Sequence, residues 1–338
     1  MHPIRPALAL LACALAGNAA ALSCGDTVSG HLVLTADLHC TSGWTALYVA
    51  GPGVTIDLNG HTLSGDIGLA GITLNSAHGT VIKGPGELKG FWNGVNGVRS
   101  DDVLVSGVVF SAQDVGVSIN NSDRITVVGN TFQNLRGHAV TLQHLGWATG
   151  GFAGAHHIAD NLVEDARAGF QLCGAATGGS VIEGNTLRKI EDYAIHLQDG
   201  SAGNRVVDNR LADVGNAGIM VNASNGTRIL GNYMKGGRIG ITLNPDTGGL
   251  CDTGGAVAEV RDTLVDGNTV LAHETALVAG LGAAKSGQVF DNRINGNKFY
   301  YDTTGILLLD DAWHNDATGN AYTGTTDPVR DFGYGNAW

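Results

Sequence analysis

The sequence predicts an all-β chain wound as a single-stranded right-handed parallel β-helix of about 10–11 coils, and three observations carry that prediction. Short apolar stretches ending in Gly-Asn or Asp-Asn recur at Asn130, Asn161, Asn185, Asn209, Asn232, Asn268, Asn292 and Asn320, a period near 24 residues broken by two longer intervals. Each stretch alternates apolar and polar residues over a few positions, which suits a strand and is too short for a helix. Glycine supplies 52 of 338 residues against 6 prolines, a bias toward tight turns rather than collagen or a low-complexity linker. With 43% hydrophobic residues the chain can bury a core, which excludes general disorder.

The elements follow in chain order. A basic start at Met1 to Arg5, an apolar run from Ala7 to Ala16 and the small residues Ala19 to Ala21 read as a secretory signal peptide over 1–21. A lipoprotein signal around Leu10 to Cys13 is the alternative. No apolar run has the length of a membrane span, so a secreted or periplasmic protein is expected. The mature domain then covers 22–338, with 22–53 as an N-terminal cap and 317–338 as a C-terminal tail or cap. Four cysteines remain after the signal, which permits two disulfides and three connectivities. Cys24 with Cys40 is the natural pair, because it closes a short loop at the start of the fold.

The units themselves read alike. Ile125 to Phe132 is followed by a polar bend and then Ala139 to Gln143; Val181 to Leu187 is followed by Ala194 to Gln198. A strand cannot bury one face alone, so each unit must stack on its neighbours. The recurring Asn is read as scaffold: it tolerates the left-handed geometry of a two-residue bend and can hydrogen-bond from coil to coil. Val108 stands where an earlier Asn would fall, so the ladder begins near Asn130. At this point the chain resembles the pectate-lyase-like superfamily, within it the secreted bacterial parallel-β-helix-repeat group. Cys24-Gly-Asp and Val54-Thr-Ile-Asp-Leu-Asn-Gly-His-Thr-Leu63 carry the resemblance, which extends over nearly all of Leu22 to about Gly319. It implies the fold and leaves the activity open, since the superfamily includes lyases, hydrolases, epimerases and tailspikes.

Aligning the strand after the bend separates its two faces. Val117, Val140, Phe170, Ile195, Ile219 and Ile241 form one inward column, and Ile119, Leu142, Leu172, Leu197, Val221 and Leu243 the next. Between them Ser118, Thr141, Gln171, His196, Met220 and Thr242 should face solvent. Asn120, Gln143, Cys173, Gln198, Asn222 and Asn244 form the second outward column. Thr141, Gln143, Gln171, Gln198, Asp199 and Asn222 are therefore candidate substrate-binding residues, since amides and hydroxyls both donate and accept. Polar residues are also the ordinary content of an outward strand face.

His196 is the titratable side chain of the first outward column, with Tyr193 nearby, Arg167 one coil earlier and Arg238 two coils later. In uronate lyases and epimerases a cation neutralises the carboxylate so that a base can take the adjacent weakly acidic proton. His196 or Tyr193 would be that base and Arg167 or Arg238 the neutraliser, unless His196 is simply a solvated histidine. Tyr193-Ala-Ile-His196-Leu-Gln198-Asp199 is similar to the Tyr-Gly-Phe-Asp-Pro-His-Asp stretch of mannuronan C-5-epimerases, and Arg238 fits the arginine two coils onward. The central Asp and His of that stretch are His196 and Gln198 here, so its acid and base do not carry over. No Asn-Thr-Asp or Gly-His-Gly stretch supports a polygalacturonase-type hydrolase.

Two insertions, Leu145 to Ala155 and Pro245 to Glu259, leave from one edge of the rod and would wall a cleft with His196 on its floor. Trp147 in the first would stack on a sugar ring. A Cys173–Cys251 disulfide would instead pull the second loop back over Met220 as a fixed lid. No CxxC pair supports a zinc or redox motif. No cofactor is expected, with calcium on Asp192, Asp199 or Asp213 as the exception considered.

The net charge of −12 argues against a nucleic-acid partner, which needs a basic surface. An acidic polysaccharide remains compatible, held by a local arginine cluster. The expected function is engagement of an extended polysaccharide, with a polyuronate lyase or C-5 epimerase as the leading form. The alternative is a non-catalytic carbohydrate-binding or surface-structural rod. A third reading comes from repeats that are also similar to those of the periplasmic accessory protein for nitrous-oxide reductase copper assembly. Substrate identity and oligomeric state are not legible in the sequence.

Overall fold

A computed structural model describes residues 22–66, 68–146, 153–249, 251, 257–281 and 287–338. The signal segment 1–21 and Trp147 therefore lie outside the described residues. Every strand pair is parallel and joins one coil to the next. Asp26–Val28, His31–Val33 and Leu38–Cys40 already pair with strands of the following coil, at Asp26↔Leu47, His31↔Thr55 and Leu38↔Leu63. The chain makes a parallel β-helix of about 12 turns. The Asn spacing alone gives fewer, because the coils before Asn130 repeat without the ladder residue. No helix among the described residues is long and apolar enough to cross a membrane.

One wall is an 11-stranded parallel sheet, and the other two merge into a 20-stranded sheet. They merge because strands such as Thr131–Gln143, Leu162–Cys173, Arg210–Asn222 and Tyr233–Asn244 bend round a corner without breaking. Both inward columns are fully buried, Val140, Phe170, Ile195 and Ile219 among them, so the alternation read from the sequence is the real division of faces. Phe110 and Phe132 stack across adjacent coils with ring centres 4.8 Å apart, the same repeat that spaces the backbones.

The asparagine ladder has a regular chemistry. In each coil the Asn Oδ1 accepts both the backbone N–H and the side-chain N–H of the Asn one coil earlier, as Asn209 does for Asn185 at 3.0 and 2.9 Å. The Asn209 Nδ2 group in turn donates to the Ile182 carbonyl at 2.9 Å. Every buried polar atom of the corner is thereby used. The ladder starts at Asn130, whose Oδ1 accepts the Val108 N–H at 3.0 Å.

Two details differ from the sequence reading. The left-handed residue is the one before the Asn, at Gly129, Asp160, Gly184, Asp208 and Gly231, with φ between 52° and 64°. Asp and Gly alternate there over five coils for a packing reason: a Cβ at Gly184 would stand 2.6 Å from Asp160 Oδ1. The second correction is Asn292. The ladder passes from Asn268 to Asn297 and Asn320, while Asn292 heads a second ladder with Asn315 and Asn336 at the preceding corner. Asp291-Asn292 and Gly296-Asn297 lie five residues apart and present the same dipeptide signal, which is why pattern alone selects the wrong one.

Candidate functional site

The strand Tyr193–Gln198 carries the expected site, and a corner in front of it sets the geometry. Asn134, Asp165, Lys189 and Asp213 each adopt a left-handed φ of 54° to 59°, turning the chain just before the corner residues Arg136, Arg167, Glu191 and Gly215. Asx residues accept that conformation at modest cost. Successive corners are bonded to one another: Asp192 N–H donates to the Arg167 carbonyl at 2.9 Å and Asn216 N–H to the Asp192 carbonyl at 2.8 Å.

His196 turns away from the core, as its place between Ile195 and Leu197 requires, yet it is only 5% exposed. Thr141, Gln171, Gln198 and Asn222 are buried as well, which corrects the expected solvent-facing strip; Gln143 is half-buried. Burial lowers the His196 pKa to about 3, the positive field of His138 adds to this, and Asn222 opposes it. Asn222 stands close enough to favour the proton but not in hydrogen-bonding geometry, and neither ring nitrogen has a partner among the described residues. His196 is a neutral, covered imidazole.

The second insertion lies against Gln198 and Asp199, at the end of the same strand. Cys173 and Cys251 form a disulfide across 78 residues, and Cys24 and Cys40 form the other. Asp199, buried completely, accepts the backbone N–H groups of Gly249 at 3.2 Å and Cys251 at 3.2 Å. Gln198 Nε2 donates to Cys173 Sγ at 2.9 Å. Asp199 and Gln198, expected to hold substrate, instead hold the loop. The Cys173–Cys251 disulfide of the lid alternative is formed, while residues 147–152 of the first insertion lie outside the described residues. The first insertion is fastened at its ends, Leu145 N–H to Asn121 Oδ1 and Ala153 and Gly154 N–H to Asp123 Oδ1.

Replacing both lid cysteines, Cys173→Ala with Cys251→Ala, removes the covalent tie and leaves the Asp199 bonds alone to hold the loop. Amide exchange at Gly249 is expected to rise about tenfold or more, while Ile195 and Leu197 stay protected. Unchanged exchange at Gly249 would mean that Asp199 suffices as the anchor.

Tyr193 is the centre of the groups that do come together. Its ring packs edge-on against His196 with centres 4.5 Å apart and lies 6.1 Å from the His138 ring. Burial raises the Tyr193 pKa, the Asp192 carboxylate raises it further, and Arg167 opposes them. Burial lowers the His138 pKa; Arg167 adds to that, while Asp192 and Asp114 oppose it. Arg167 is thus near enough to act on both rings, is exposed, and its guanidinium makes no salt bridge or hydrogen bond with the described residues. It also lines a groove of about 350 Å³ with Asn134, Leu135, Arg136, Asp165 and Glu191. Arg238 joins only through a relay: it donates to Asn216 Oδ1 at 3.5 Å, and Asn216 Nδ2 donates to Asp192 Oδ1 at 3.1 Å. A larger groove of about 550 Å³ lies nearer the N-terminal end, lined among others by Asp37, His39, Ser64, Glu87 and Lys89, with His39 Nδ1 and Ser64 Oγ 2.9 Å apart.

His138 was the residue that the sequence reading did not place in the site. Extending the strand alignment one column toward the bend would have found it, since His138, Ala168 and Tyr193 are register partners in successive coils.

Residues 53–250 match the family model described as periplasmic copper-binding protein (NosD), well over half of the chain. The chain belongs to the NosD family. No curated protein matches this NosD-family chain at the sequence level. Solved structures similar to it include the catalytic domain of a GH87 α-1,3-glucanase bound to nigerose, at 14% identity and TM-score 0.64, covering 93% of this chain and 62% of that one. A PL6 alginate lyase bound to a trisaccharide follows at 13% identity and TM-score 0.59, covering 93% and 83%. The A-module of an Azotobacter vinelandii mannuronan C-5 epimerase has 13% identity and TM-score 0.54, covering 88% and 91%. At such identities the likeness is one of fold.

The family description raises the question of copper. Among the described residues, Cys173, Asp199 and Cys251 are the one group of metal-type donors whose ligand atoms lie within 4.8 Å of one another. Copper in its soft state favours thiolates. Here the two sulfurs are bonded to each other, and Asp199 holds lid amides. In this oxidised form the group does not fit a resident copper ion. The carboxylates considered for calcium are not gathered either: Asp192 is bonded to Asn216, and Asp213 is not part of that group.

Proposed function

We propose that this NosD-family protein works outside the cytoplasm on an extended acidic polysaccharide, as a lyase or C-5 epimerase acting at the Tyr193 corner. Both disulfides and the periplasmic description of the family support that compartment. The observation that carries the reading is Arg167, an exposed cation with no partner among the described residues, set beside a phenol and an imidazole that are both held neutral. Arg167 neutralises a uronate carboxylate and makes the neighbouring C5 proton acidic. His138, whose lowered pKa keeps a lone pair available at neutral pH, takes that proton. Tyr193, whose raised pKa keeps its hydroxyl protonated, supplies a proton to the departing C4 oxygen in elimination, or to C5 from the other face in epimerisation. His196 packs against the Tyr193 ring and fixes its orientation, while Arg238 fixes Asp192 through Asn216.

The test incubates the purified protein with alginate and pectate. Ultraviolet absorbance of the unsaturated product reports elimination, and solvent-proton exchange at C5 reports epimerisation. Tyr193→Phe and Arg167→Ala are each expected to lower the rate about 100-fold. Activity that survives both changes would move the chemistry elsewhere, and binding without reaction would leave the non-catalytic carbohydrate-binding rod.

A further inference from the structure

We infer that Trp44 and Trp92 form a sugar-stacking platform that extends the polysaccharide site toward the N-terminal end of the rod; this rests on the reading above. Both indoles are exposed, Trp44 at 90% and Trp92 at 54%. They belong to one corner. Ala70 N–H donates to the Trp44 carbonyl at 3.0 Å, Trp92 N–H to the Leu69 carbonyl at 2.8 Å, and Val115 N–H to the Trp92 carbonyl at 2.8 Å. Trp44, Leu69 and Trp92 are therefore successive rungs, and the indoles stand two coils, about 10 Å, apart along the axis. That is the span of about two rings of an extended sugar chain.

Leu69 between them is buried and presents no side chain that would separate the two aromatic surfaces. Beside them runs a half-buried polar row, in which Thr73 Oγ1 donates to Thr45 Oγ1 at 3.0 Å and Asn93 Nδ2 to Asn96 Oδ1 at 3.4 Å. Hydroxyls and amides next to flat apolar rings match the two aspects of a pyranose, its hydroxyl edge and its C–H face. The same corner continues through Asp114, whose Oδ1 pairs with Arg136 Nε at 3.8 Å, to Arg167, three coils or about 14 Å beyond Trp92. The aromatic pair and Arg167 thus lie on one line parallel to the axis. A chain that carries carboxylates and lies along the rod meets stacking rings at one end and the Arg167 guanidinium at the other, which selects an acidic polysaccharide over a compact ligand.

Calorimetric titration with a uronate trisaccharide and an octasaccharide tests this, using the full mature chain. The octasaccharide is expected to bind wild type more tightly than the trisaccharide. Trp44→Ala with Trp92→Ala should weaken octasaccharide binding about tenfold or more through the loss of ring stacking, and leave the trisaccharide unaffected. Both side chains are exposed, so the variant should keep its melting temperature. Octasaccharide binding that is lost in Arg167→Ala but unchanged in the double tryptophan variant overturns the platform and leaves the proposed function standing. Binding that survives Arg167→Ala and Tyr193→Phe but fails without the tryptophans supports the platform and removes the Tyr193 corner as the site. No binding to wild type overturns both. A concentration-dependent dimer in light scattering that disappears in the tryptophan variant would assign the rings to a second copy of the chain, and the sugar platform would fall.

Discussion

Acidification from pH 6.5 toward pH 3 is expected to destabilise the protein by up to about 4 kcal/mol for each of two histidines, His156 and His196. Burial lowers both pKa values to about 3. In the unfolded chain these rings titrate near 6.5, so below that pH the unfolded state binds protons that the folded state refuses. The stability they contribute is complete above pH 6.5 and is lost as pH falls toward the folded values. Surface carboxylates such as Asp102, held low by its hydrogen bond to Arg124, add their own loss only at more acidic pH. His156 offers the cleaner test. Its Nδ1 accepts the Ile125 N–H at 3.2 Å, while Nε2 is buried with no partner among the described residues. Two coils later Asn204 fills the same corner role, its Oδ1 accepting the Ser180 N–H at 2.8 Å. His156→Asn should therefore keep the bond, hold its stability at pH 7 and flatten the decline between pH 6.5 and 4. Urea unfolding midpoints across that range provide the measurement, and an unchanged slope would contradict the neutral, buried state of this ring.

The second large effect belongs to the ladder. Asn209→Ala removes one acceptor that serves two donors of Asn185, and one amide that serves the Ile182 and Val207 carbonyls and Asn232. These groups are buried, and each left unpaired costs about 1–3 kcal/mol, partly relieved where water enters. A loss of about 3 kcal/mol in unfolding free energy is expected. Asn320→Ala should cost under half of that, because Asn320 ends the described column and is half-buried. Equal losses at the two positions would show that the ladder acts as a sum of identical rungs with no penalty for burial.

The stacking register was legible down to single residues. The pairs Val117↔Val140, Phe170↔Ile195 and Ile219↔Ile241 are those the alternation implies, since one residue of slip would drive polar side chains into the core. The Cys24–Cys40 pair was legible because a short loop leaves few options. What periodicity does not encode is cover. Gln198 occupies an outward position by pattern, yet it and Asp199 are buried where a loop outside the repeat, fixed by Cys251 and two amides on Asp199, lies against them. The site was legible in part: Tyr193 and His196 are neighbours in sequence and space, whereas Arg238 reaches them only through Asn216, a relay that spacing cannot show.

The Cys173–Cys251 bond also bears on how the rod comes apart. A stack held by nearest-neighbour contacts opens by fraying from its ends. Peeling that begins at Trp338 runs inward coil by coil until it meets a covalent staple whose other foot stands three coils deeper, at Cys173. The segment between those feet must then open as one block or not at all. A ribbon that would otherwise unzip gradually acquires a mechanical stop in its middle, and that stop stands against Gln198, at the far end of the strand that begins with Tyr193.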